Sequence, residues 1–391
     1  MRSSCLRPIP FLLALASLTL VACDDTSDLG LSPTGPSESI LSPETPIPIT
    51  SCGTVITQPG VYAMAADFGN GSNPHQTCPG PVVEIRVSNV TILSQGHGVD
   101  GNGGPCITAG VGVPGGVSHI RLVGVDLRSC KSAAIVFENV SSSVVANAIM
   151  RFQGRGIVIQ GSAALSRADT VRNSSFSDNL EGGITVGSGT DFVISDNEFE
   201  GSQDFGFSSG VTLGGAVSHS LVRRNTFTGP ADRIEVWGNR NTVVSNILQG
   251  NSQAGITVGG QRNAIIENRV AGTSGPGMRD YGSYNTLRGN TAENGGAGIE
   301  EIGRNGVIQG NTVQNNQGDG ILVFDAGVRL THNRVLNNGE SGIHVFGNVG
   351  AIIAENTSLN NFVFDLLDDG SCGANTWRGN TFGTASAPCI Q

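Results

Sequence analysis

The chain of 391 residues has a formal net charge of −10, 57 glycines and 38% hydrophobic residues. This acidic balance argues against a nucleic acid as partner, because the phosphate backbone carries the same sign of charge. The glycine content, together with the lack of a helical apolar period after residue 50, excludes helical repeats and predicts an all-β protein.

The N-terminal residues have the pattern of a signal peptide. Arg2 and Arg7 precede an apolar run at residues 11–21, which is too short and wrongly flanked for a membrane span. The run ends in Leu-Val-Ala-Cys at residues 20–23, which resembles the bacterial lipobox. The resemblance implies that residues 1–22 are removed and that Cys23 carries a lipid. The protein would then be exported and anchored in the cell envelope, periplasmic or surface-exposed. The other interpretation is an ordinary secretory signal with a chance cysteine.

Residues 23–50 are rich in serine, threonine, acidic side chains and proline, with prolines at positions 33, 36, 43, 46 and 48. Such a composition cannot bury enough apolar surface to fold, so it predicts a disordered tether. Residues 51–80 are then expected to form an N-terminal cap and residues 81–364 a repeat domain. Residues 365–391 are expected to form a C-terminal cap closed by a disulfide.

An asparagine recurs about every 22 residues through the repeat domain. The column consists of Asn225, Asn246, Asn268, Asn290, Asn311, Asn333 and Asn356, with spacings of 21 to 23 residues. Looser spacing extends it to Asn147, Asn173, Asn197 and Asn380. A repeat of this length indicates a solenoid, in which each unit buries its apolar face against its neighbours. We expect the asparagines to occupy tight corners in the left-handed conformation and to hydrogen-bond along the column.

Each unit also contains short alternating segments of valine and isoleucine. A Gly-Ile-x-Val marker stands at residues 255–258, 320–323 and 342–345. In one unit, residues 320–324, 328–331 and 334–336 supply three strands, with Ile321 and Val323 on one face and Leu322 and Phe324 on the other. This arrangement resembles the right-handed parallel β-helix of the pectate-lyase-like superfamily. The resemblance implies a single-stranded β-helix solenoid of about 12 coils with an asparagine ladder. Leucine is too sparse for the nearest alternative, a leucine-rich repeat.

Six cysteines remain beyond the predicted signal peptide and Cys23. They are Cys52, Cys78, Cys106, Cys130, Cys372 and Cys389. An even number in an exported protein suggests disulfides. Pairing of sequence neighbours is preferred among the connectivities that remain open, because it would close the two ends of the solenoid. A zinc site is not predicted, since no Cys-x-x-Cys pair occurs.

Two acids interrupt the apolar pattern of the first strand in each coil. The aligned column contains Ile159, Val186, Leu213, Val236, Val258, Asp280, Glu301, Val323 and Val345. Buried adjacent carboxylates are unfavourable unless they are hydrogen-bonded or share a proton. Asp280 and Glu301 are therefore predicted to form a site with perturbed pKa values or to turn outward at a bulge, unless the alignment slips here and both are simply solvated.

Positions around this pair carry charged and aromatic side chains. Asp280, Glu301, Arg279, Glu300, Tyr281 and His344 are the candidate catalytic residues, and Glu235, Trp237, Phe324 and Phe346 are the candidate substrate-binding residues. Aromatic rings offer flat faces for stacking on sugars. Two carboxylates suit glycoside hydrolysis, whereas a cation with a proton-exchanging group suits a lyase or an epimerase. Packing of the phenylalanines beneath a loop and a simple Arg279–Glu300 ion pair are the structural alternatives.

The catalytic motifs of polygalacturonases and alginate epimerases are absent, so the resemblance transfers no site residue. The sequence predicts a monomeric protein that binds polysaccharide or cell-surface glycan and that cleaves or epimerises it. The alternative is a non-catalytic carbohydrate-binding or structural envelope protein. No cofactor is predicted. Calcium is a weaker hypothesis, resting on the acidic residues Asp325, Asp365, Asp368 and Asp369 near the C-terminal cap.

Overall fold

A computed structural model describes residues 45–69, 78, 80–101, 104–201, 209–230, 233–370 and 372–391. The predicted signal peptide, the lipidated Cys23 and most of the predicted tether lie outside these residues. Within the described part, no helix is long and apolar enough to cross a membrane.

The described chain is an all-β solenoid in which three parallel sheets run along the axis and each coil contributes one strand to each sheet. The sheets are named first, second and third in the order in which a coil passes through them. Across the described residues no helix occurs, and the third sheet has 13 strands, which gives about 13 coils. The prediction of a parallel β-helix with three short strands per coil is confirmed.

The strand boundaries follow the repeat. The first sheet comprises Thr54–Ile56, Val83–Ile85, Ile107–Ala109, Ala133–Glu138, Arg155–Gln160, Gly182–Thr190, Ser209–Ser218, Ile234–Val236, Ile256–Val258, Met278–Asp280, Ile299–Glu301, Ile321–Val323, Ile343–Val345 and Leu366–Asp368. The second comprises Ile47–Ile49, Gly60–Met64, Val90–Leu93, Ile120–Val123, Val144–Ala146, Thr170–Arg172, Val193–Ser195, Leu221–Arg223, Thr242–Val244, Ala264–Ile266, Thr286–Arg288, Val307–Gln309, Arg329–Thr331, Ile352–Ala354 and Thr376–Arg378. The third comprises Gly98–Asp100, Asp126–Arg128, Ile149–Arg151, Ser175–Ser177, Glu198–Glu200, Thr226–Thr228, Ile247–Gln249, Arg269–Ala271, Thr291–Glu293, Thr312–Gln314, Arg334–Leu336, Thr357–Leu359 and Thr381–Phe382. Val117–Ser118 and Val140–Ser141 form a separate pair.

The core is a continuous column of Val, Ile, Leu and Phe side chains inside the coils. In the first sheet the outer two residues of each three-residue strand point inward, as for Ile343 and Val345, and the central residue points outward. Phe176, Phe199 and Phe227 stack on consecutive coils, with ring centroids 4.8 and 4.5 Å apart. Alternation therefore sets which side chains a ligand outside the first sheet can reach.

The glycine of the Gly-Ile-x-Val marker is required by close packing inside the coil. A Cβ atom at Gly255 would overlap the side chain of Val270, and one at Gly320 would overlap that of Val335. Both valines point inward from the third sheet. They leave no room for a side chain at the residue that precedes the first-sheet strand, so only glycine fits there.

The predicted asparagine ladder lies at the corner between the second and third sheets. Asn268 is typical: its backbone N–H donates to Oδ1 of Asn290 at 2.9 Å, and its Nδ2 donates to the same oxygen at 3.1 Å. Its Nδ2 also donates to the carbonyl oxygen of Val243 at 2.9 Å. Each buried corner amide and carbonyl thereby gains a partner, as burial of polar groups requires.

The expected left-handed conformation belongs to the residue before each ladder asparagine. Ser245 and Glu267, which precede Asn246 and Asn268, have φ of 55° and 53°. The predicted members Asn147 and Asn173, with φ of 54° and 51°, occupy this preceding position. The ladder positions of these coils are instead Ala148 and Ser174, and Ser174 bonds on to Asn197. The extension of the column to Asn147 and Asn173 is therefore wrong by one residue, because asparagine suits both positions.

Two further ladders occupy the other corners. Ser220, Asn241, Asn263 and Asn285 bond in series between the first and second sheets. Asn316, Asn338 and Asn361 do so between the third and first sheets. In the coil after Asn285, the position of the first of these two ladders is occupied by Gly306. Glycine has no side chain, so this ladder ends at Asn285.

The predicted cap boundaries differ from the structured region. Ile47–Ile49 is a strand that pairs with the second sheet, although it lies in the predicted tether. Ile49 of this strand is buried in the apolar core. The neighbouring Pro46 and Pro48 led to the assignment of this segment to the tether. At the other end, strands Leu366–Asp368, Thr376–Arg378 and Thr381–Phe382 continue all three sheets into the predicted C-terminal cap.

All three predicted disulfides are present. Cys52 pairs with Cys78, Cys106 with Cys130, and Cys372 with Cys389, with Cα–Cα distances of 5.5, 5.6 and 6.2 Å. The pairing of sequence neighbours is confirmed.

Candidate functional site

Asp280 and Glu301 lie inside the solenoid, in register on adjacent strands of the first sheet. Both side chains have 0% exposure, and they continue the inward column between Val258 and Val323. The strands neither bulge nor turn these residues outward. Neither carboxylate can contact a chain bound outside the coil, which removes both from the candidate catalytic set.

The outward side of the same strands carries the charged candidates. The central residues of successive first-sheet strands are Glu235, Thr257, Arg279, Glu300, Leu322, His344 and Leu367. Thr257 and Leu322 are largely covered, whereas the charged members are half-buried. We call this row, together with the residue that follows each strand, the outer face.

The aromatic candidates share one register position on the outer face, the residue directly after the strand. Trp237, Tyr281, Phe324 and Phe346 all stand there. Trp237 lies over Gly259 of the next coil, because a Cβ atom at this glycine would overlap the indole ring. Phe324 and Phe346 stack with centroids 4.4 Å apart. The first three of these aromatic side chains are exposed by 41–46%.

Arg279 connects the charged and aromatic groups at the centre of the outer face. Its Nε donates to Oε2 of Glu300 at 2.5 Å, and one terminal nitrogen donates to the Tyr281 hydroxyl at 3.2 Å. Its guanidinium carbon lies 5.8 Å from the Tyr281 ring centroid. Burial by itself lowers the pKa of Arg279, but the hydrogen bond and charge of Glu300 outweigh burial and raise it. The arginine is therefore a fixed cation beside an exposed aromatic ring.

His344 lies between two carboxylates. Its Nδ1 is 3.4 Å from Oδ2 of Asp319, and its Nε2 is 3.1 Å from Oδ2 of Asp369. Phe346 covers one side of the imidazole at 3.8 Å between centroids. Burial lowers the pKa of His344, but the hydrogen bonds and charges of Asp319 and Asp369 outweigh burial and raise it. This Asp–His–Asp group can hold and transfer a proton at the edge of the outer face.

Two residues beside the outer face were not predicted as site residues from the sequence. Asp319 precedes the Gly-Ile-x-Val marker in its coil, and its Oδ1 accepts the backbone N–H of Ser341 at 2.7 Å. Arg233 bonds to Glu235 at 2.8 Å. Asp319 directly precedes the glycine of its marker, whereas Arg233 stands where the other coils have that glycine, so neither belongs to the strand positions from which the site was predicted.

The acidic group proposed for calcium is dispersed. The carboxylate of Asp365 accepts from backbone amides of Asn361, Gly383 and Thr384, and Asp325 pairs with Arg304. Asp368 accepts from Trp377 and neighbouring donors, and Asp369 contacts His344. Among the described residues, no group of three or more His, Cys, Asp or Glu side chains is arranged to hold a metal ion. The four acids are therefore not brought together as the calcium hypothesis requires.

Comparison with known proteins identifies the family to which the fold belongs. A family model for the right handed beta helix region matches residues 109–229 and 232–382. No curated protein matches the sequence.

Three solved structures resemble the chain at low identity. The mannuronan C-5 epimerase AlgE6 A-module of Azotobacter vinelandii is 14% identical over 85% of this chain and 86% of its own, with a TM-score of 0.47. Tailspike protein 3 of bacteriophage CBA120 is 13% identical over 86% and 52%, with a TM-score of 0.41. PfbA, a surface adhesin of Streptococcus pneumoniae, is 15% identical over 73% and 75%, with a TM-score of 0.40. At this level of similarity they carry no argument about activity. The family model spans well over half of the sequence, and the chain therefore belongs to the right-handed β-helix family.

Proposed function

We propose that the protein binds polysaccharide along the outer face. The observation that carries this proposal is the aromatic row: four aromatic side chains share one register position within six successive coils. Adjacent parallel strands are about 4.8 Å apart, so Trp237, Tyr281 and Phe324 recur roughly every 10 Å along the axis. A row of exposed rings at regular spacing suits an extended chain of sugars, which stack on aromatic faces through their apolar sides.

The charged neighbours add hydrogen-bonding groups to this surface. Arg279 and Glu300 lie at its centre, Arg233 and Glu235 beside Trp237, and His344 beside Phe346. Polar groups of both signs next to flat rings are the combination that orients a carbohydrate, since hydroxyl groups both donate and accept hydrogen bonds. The face therefore combines surface for stacking with donors and acceptors for orientation.

We also propose that the protein is an exported, monomeric lipoprotein of the cell envelope. Three disulfides support export, because such bonds persist in oxidising compartments. Lipidation at Cys23 follows from the lipobox resemblance. Metabolic labelling with an alkyne fatty acid tests it: the wild-type chain is expected to incorporate label and the Cys23→Ala chain to incorporate none.

The binding proposal predicts the effect of removing single rings. Trp237→Ala and Tyr281→Ala are each expected to weaken retention of the full chain on its preferred polysaccharide about tenfold, as loss of a central aromatic contact does. Affinity electrophoresis against a panel of uronic-acid and neutral polysaccharides measures this retention.

The matched control is Phe362→Ala, which removes an aromatic ring that is 83% exposed but lies away from the row. It is expected to retain wild-type binding. Equal retention by the Trp237, Tyr281 and Phe362 variants would contradict the proposed site. No retention of the wild-type chain on any polysaccharide would favour a structural role in the envelope.

A second candidate function, catalysis on the bound chain, is favoured by the Asp–His–Asp group. His344 is held by Asp319 and Asp369 at the edge of the aromatic row, where it can donate or accept a proton. Hydrolysis, elimination and epimerisation of a polysaccharide all require such a transfer. Binding of a polysaccharide without formation of any product would support the first function, non-catalytic binding.

If the protein is an enzyme, His344→Gln is expected to reduce product formation by about 10²-fold or more while polysaccharide retention stays near wild type. The raised pKa of His344 implies that its protonated form persists to higher pH than for an ordinary histidine. Asp369→Asn removes one cause of that shift, so the limb of the pH profile due to His344 should move to lower pH. An unchanged rate in the His344 variant would exclude this histidine as the acid–base group.

A further inference from the structure

The first sheet contains a buried acidic pair that forms no salt bridge with the described residues. Asp280 and Glu301 are fully buried on adjacent strands, between Val258 and Val323. Neither is used by the proposed binding function, because both point away from the outer face.

The hydrogen-bonding capacity of the pair is only partly used. Asp280 Oδ1 accepts the backbone N–H of Gly282 at 2.7 Å and Nδ2 of Asn285 at 2.8 Å. Asp280 Oδ2 and both carboxyl oxygens of Glu301 are buried without a hydrogen-bond partner. Three such oxygens in one apolar core are too unfavourable to coexist as two carboxylates.

Another acid of the same inward column shows how this fold satisfies a buried carboxylate. Asp368 follows Val345 in register, and its Oδ1 accepts the N–H of Gly370 at 2.8 Å. Its Oδ2 accepts Nδ2 of Asn375 at 3.1 Å and Nε1 of Trp377 at 2.7 Å. Both oxygens of this acid therefore have protein donors.

The coil of Glu301 lacks such a donor. Its corner residue, in register after Asn285, is Gly306. A Cβ atom at Gly306 would lie only 2.6–2.9 Å from the atoms of the Glu301 carboxyl group. The carboxyl group therefore fills the space that an amide side chain occupies in the preceding coil.

The two charged groups that shift the pKa of Glu301 are both carboxylates. Burial is the largest cause that raises the pKa of Glu301, and the charges of Asp280 in the preceding coil and of Asp325 in the following coil raise it further. The nearby cation, Arg304, is exposed and pairs with Asp325. Burial raises the pKa of Asp280 to about 6, against the opposing hydrogen bonds from Gly282 and Asn285.

We propose that Asp280 and Glu301 share one proton, with the Glu301 carboxyl group donating to Asp280 Oδ2, and that this proton makes the stability of the central coils depend on pH. The two residues are in register on adjacent strands, which are about 4.8 Å apart, so both carboxyl groups enter the same part of the core. Loss of the proton would place two like charges in the core, directly beneath Arg279, Tyr281 and Glu300 of the outer face. The proposal does not depend on polysaccharide binding.

The direction of the pH dependence follows from proton binding. An unfolded chain releases the glutamate proton near its ordinary value of 4.5, whereas the folded pair retains it to higher pH. The folded state thus binds more protons above this value, and stability falls as pH rises toward the pKa of the folded pair. One retained proton changes the unfolding equilibrium constant by about tenfold per pH unit in that interval.

The test measures the denaturant midpoint of the full chain as the pH is raised from about 4, near the ordinary pKa of glutamate, to about 9. We expect the wild-type midpoint to fall with pH more steeply than that of Glu301→Gln, whose amide can donate to Asp280 without losing a proton. Glu267→Gln removes an exposed acid of a nearby coil and should keep the wild-type slope. Parallel profiles for wild type and Glu301→Gln would overturn the proposal.

A second measurement covers the case in which Glu301→Gln does not fold. Infrared spectra of the wild-type chain labelled with ¹³C-glutamate are expected to show a protonated glutamic acid band in the folded protein at neutral pH, which disappears on unfolding. Absence of that band from the folded protein would overturn proton sharing with Glu301 as the donor.

Discussion

Replacing Asn290 by alanine is expected to lower the free energy of unfolding by about 4 kcal/mol, because it opens the ladder in the middle of the solenoid. The side chain accepts from the backbone and side-chain nitrogens of Asn268 at 2.9 and 3.1 Å. It donates to the carbonyl oxygen of Ile265 at 2.8 Å and to Oδ1 of Asn311 at 3.0 Å. All of these partners are buried, so each group left unsatisfied costs about 1–3 kcal/mol, partly offset by local relaxation.

Denaturant unfolding of the full chain, followed by circular dichroism, measures this loss. The matched control is Gln309→Ala, which removes an amide from the solvent side of the adjacent coil and should change stability by less than about 0.5 kcal/mol. Because solenoid units depend on their neighbours, the protection of backbone amides from hydrogen exchange should decrease first in the coils of Asn268 and Asn311. Equal stability of the two variants would show that the ladder contributes little.

Replacing Gly260 by alanine is expected to destabilise the protein by at least about 3 kcal/mol, through overlap between backbones of adjacent coils. Gly260 belongs to a column of glycines that follow the first-sheet strands, together with Gly238, Gly282 and Gly303. A Cβ atom at Gly260 would overlap the carbonyl oxygen of Gly238. A carbonyl oxygen in the backbone cannot move aside as the end of a side chain can, so both coils must separate locally.

The control for this prediction is Gly104→Ala. A Cβ atom at Gly104 meets no other heavy atom within 4 Å, so this alanine should be neutral or slightly stabilising. Thermal unfolding of the two variants and the wild-type chain compares them directly. If Gly260→Ala unfolds at the same temperature as Gly104→Ala, close packing at this corner is not what requires glycine.

The repeat could be read from the sequence because it is local and periodic. The spacing of Asn225 to Asn356 predicted the coil length, and alternation around it placed Asp280 and Glu301 in the inward column. Both inferences rest on the two-residue period of strands and on the stacking of identical corners. The disulfides followed for a related reason, since cysteines that are neighbours in sequence lie on adjacent coils.

The same periodic reading failed where two positions accept the same residue. Asn147 and Asn173 fit the column by spacing, yet they occupy the left-handed position one residue earlier. Asparagine tolerates that conformation and also serves as a ladder donor, so its presence alone does not distinguish the two. The short strand Ile47–Ile49 was missed because Pro46 and Pro48 interrupt the apolar pattern and only Ile49, at the end of the strand, is buried.

The sequence by itself determined the β-helix, its register and the coils in which charged residues interrupt the apolar pattern. Only the tertiary structure excluded an outward bulge at Asp280 and Glu301 and decided what the charged residues contact. Asp319 meets His344 across 25 residues of chain, and Glu301 fills the space beside Gly306. Such contacts depend on how one coil lies on the next, and a corner shifted by one residue reverses the side to which a side chain points.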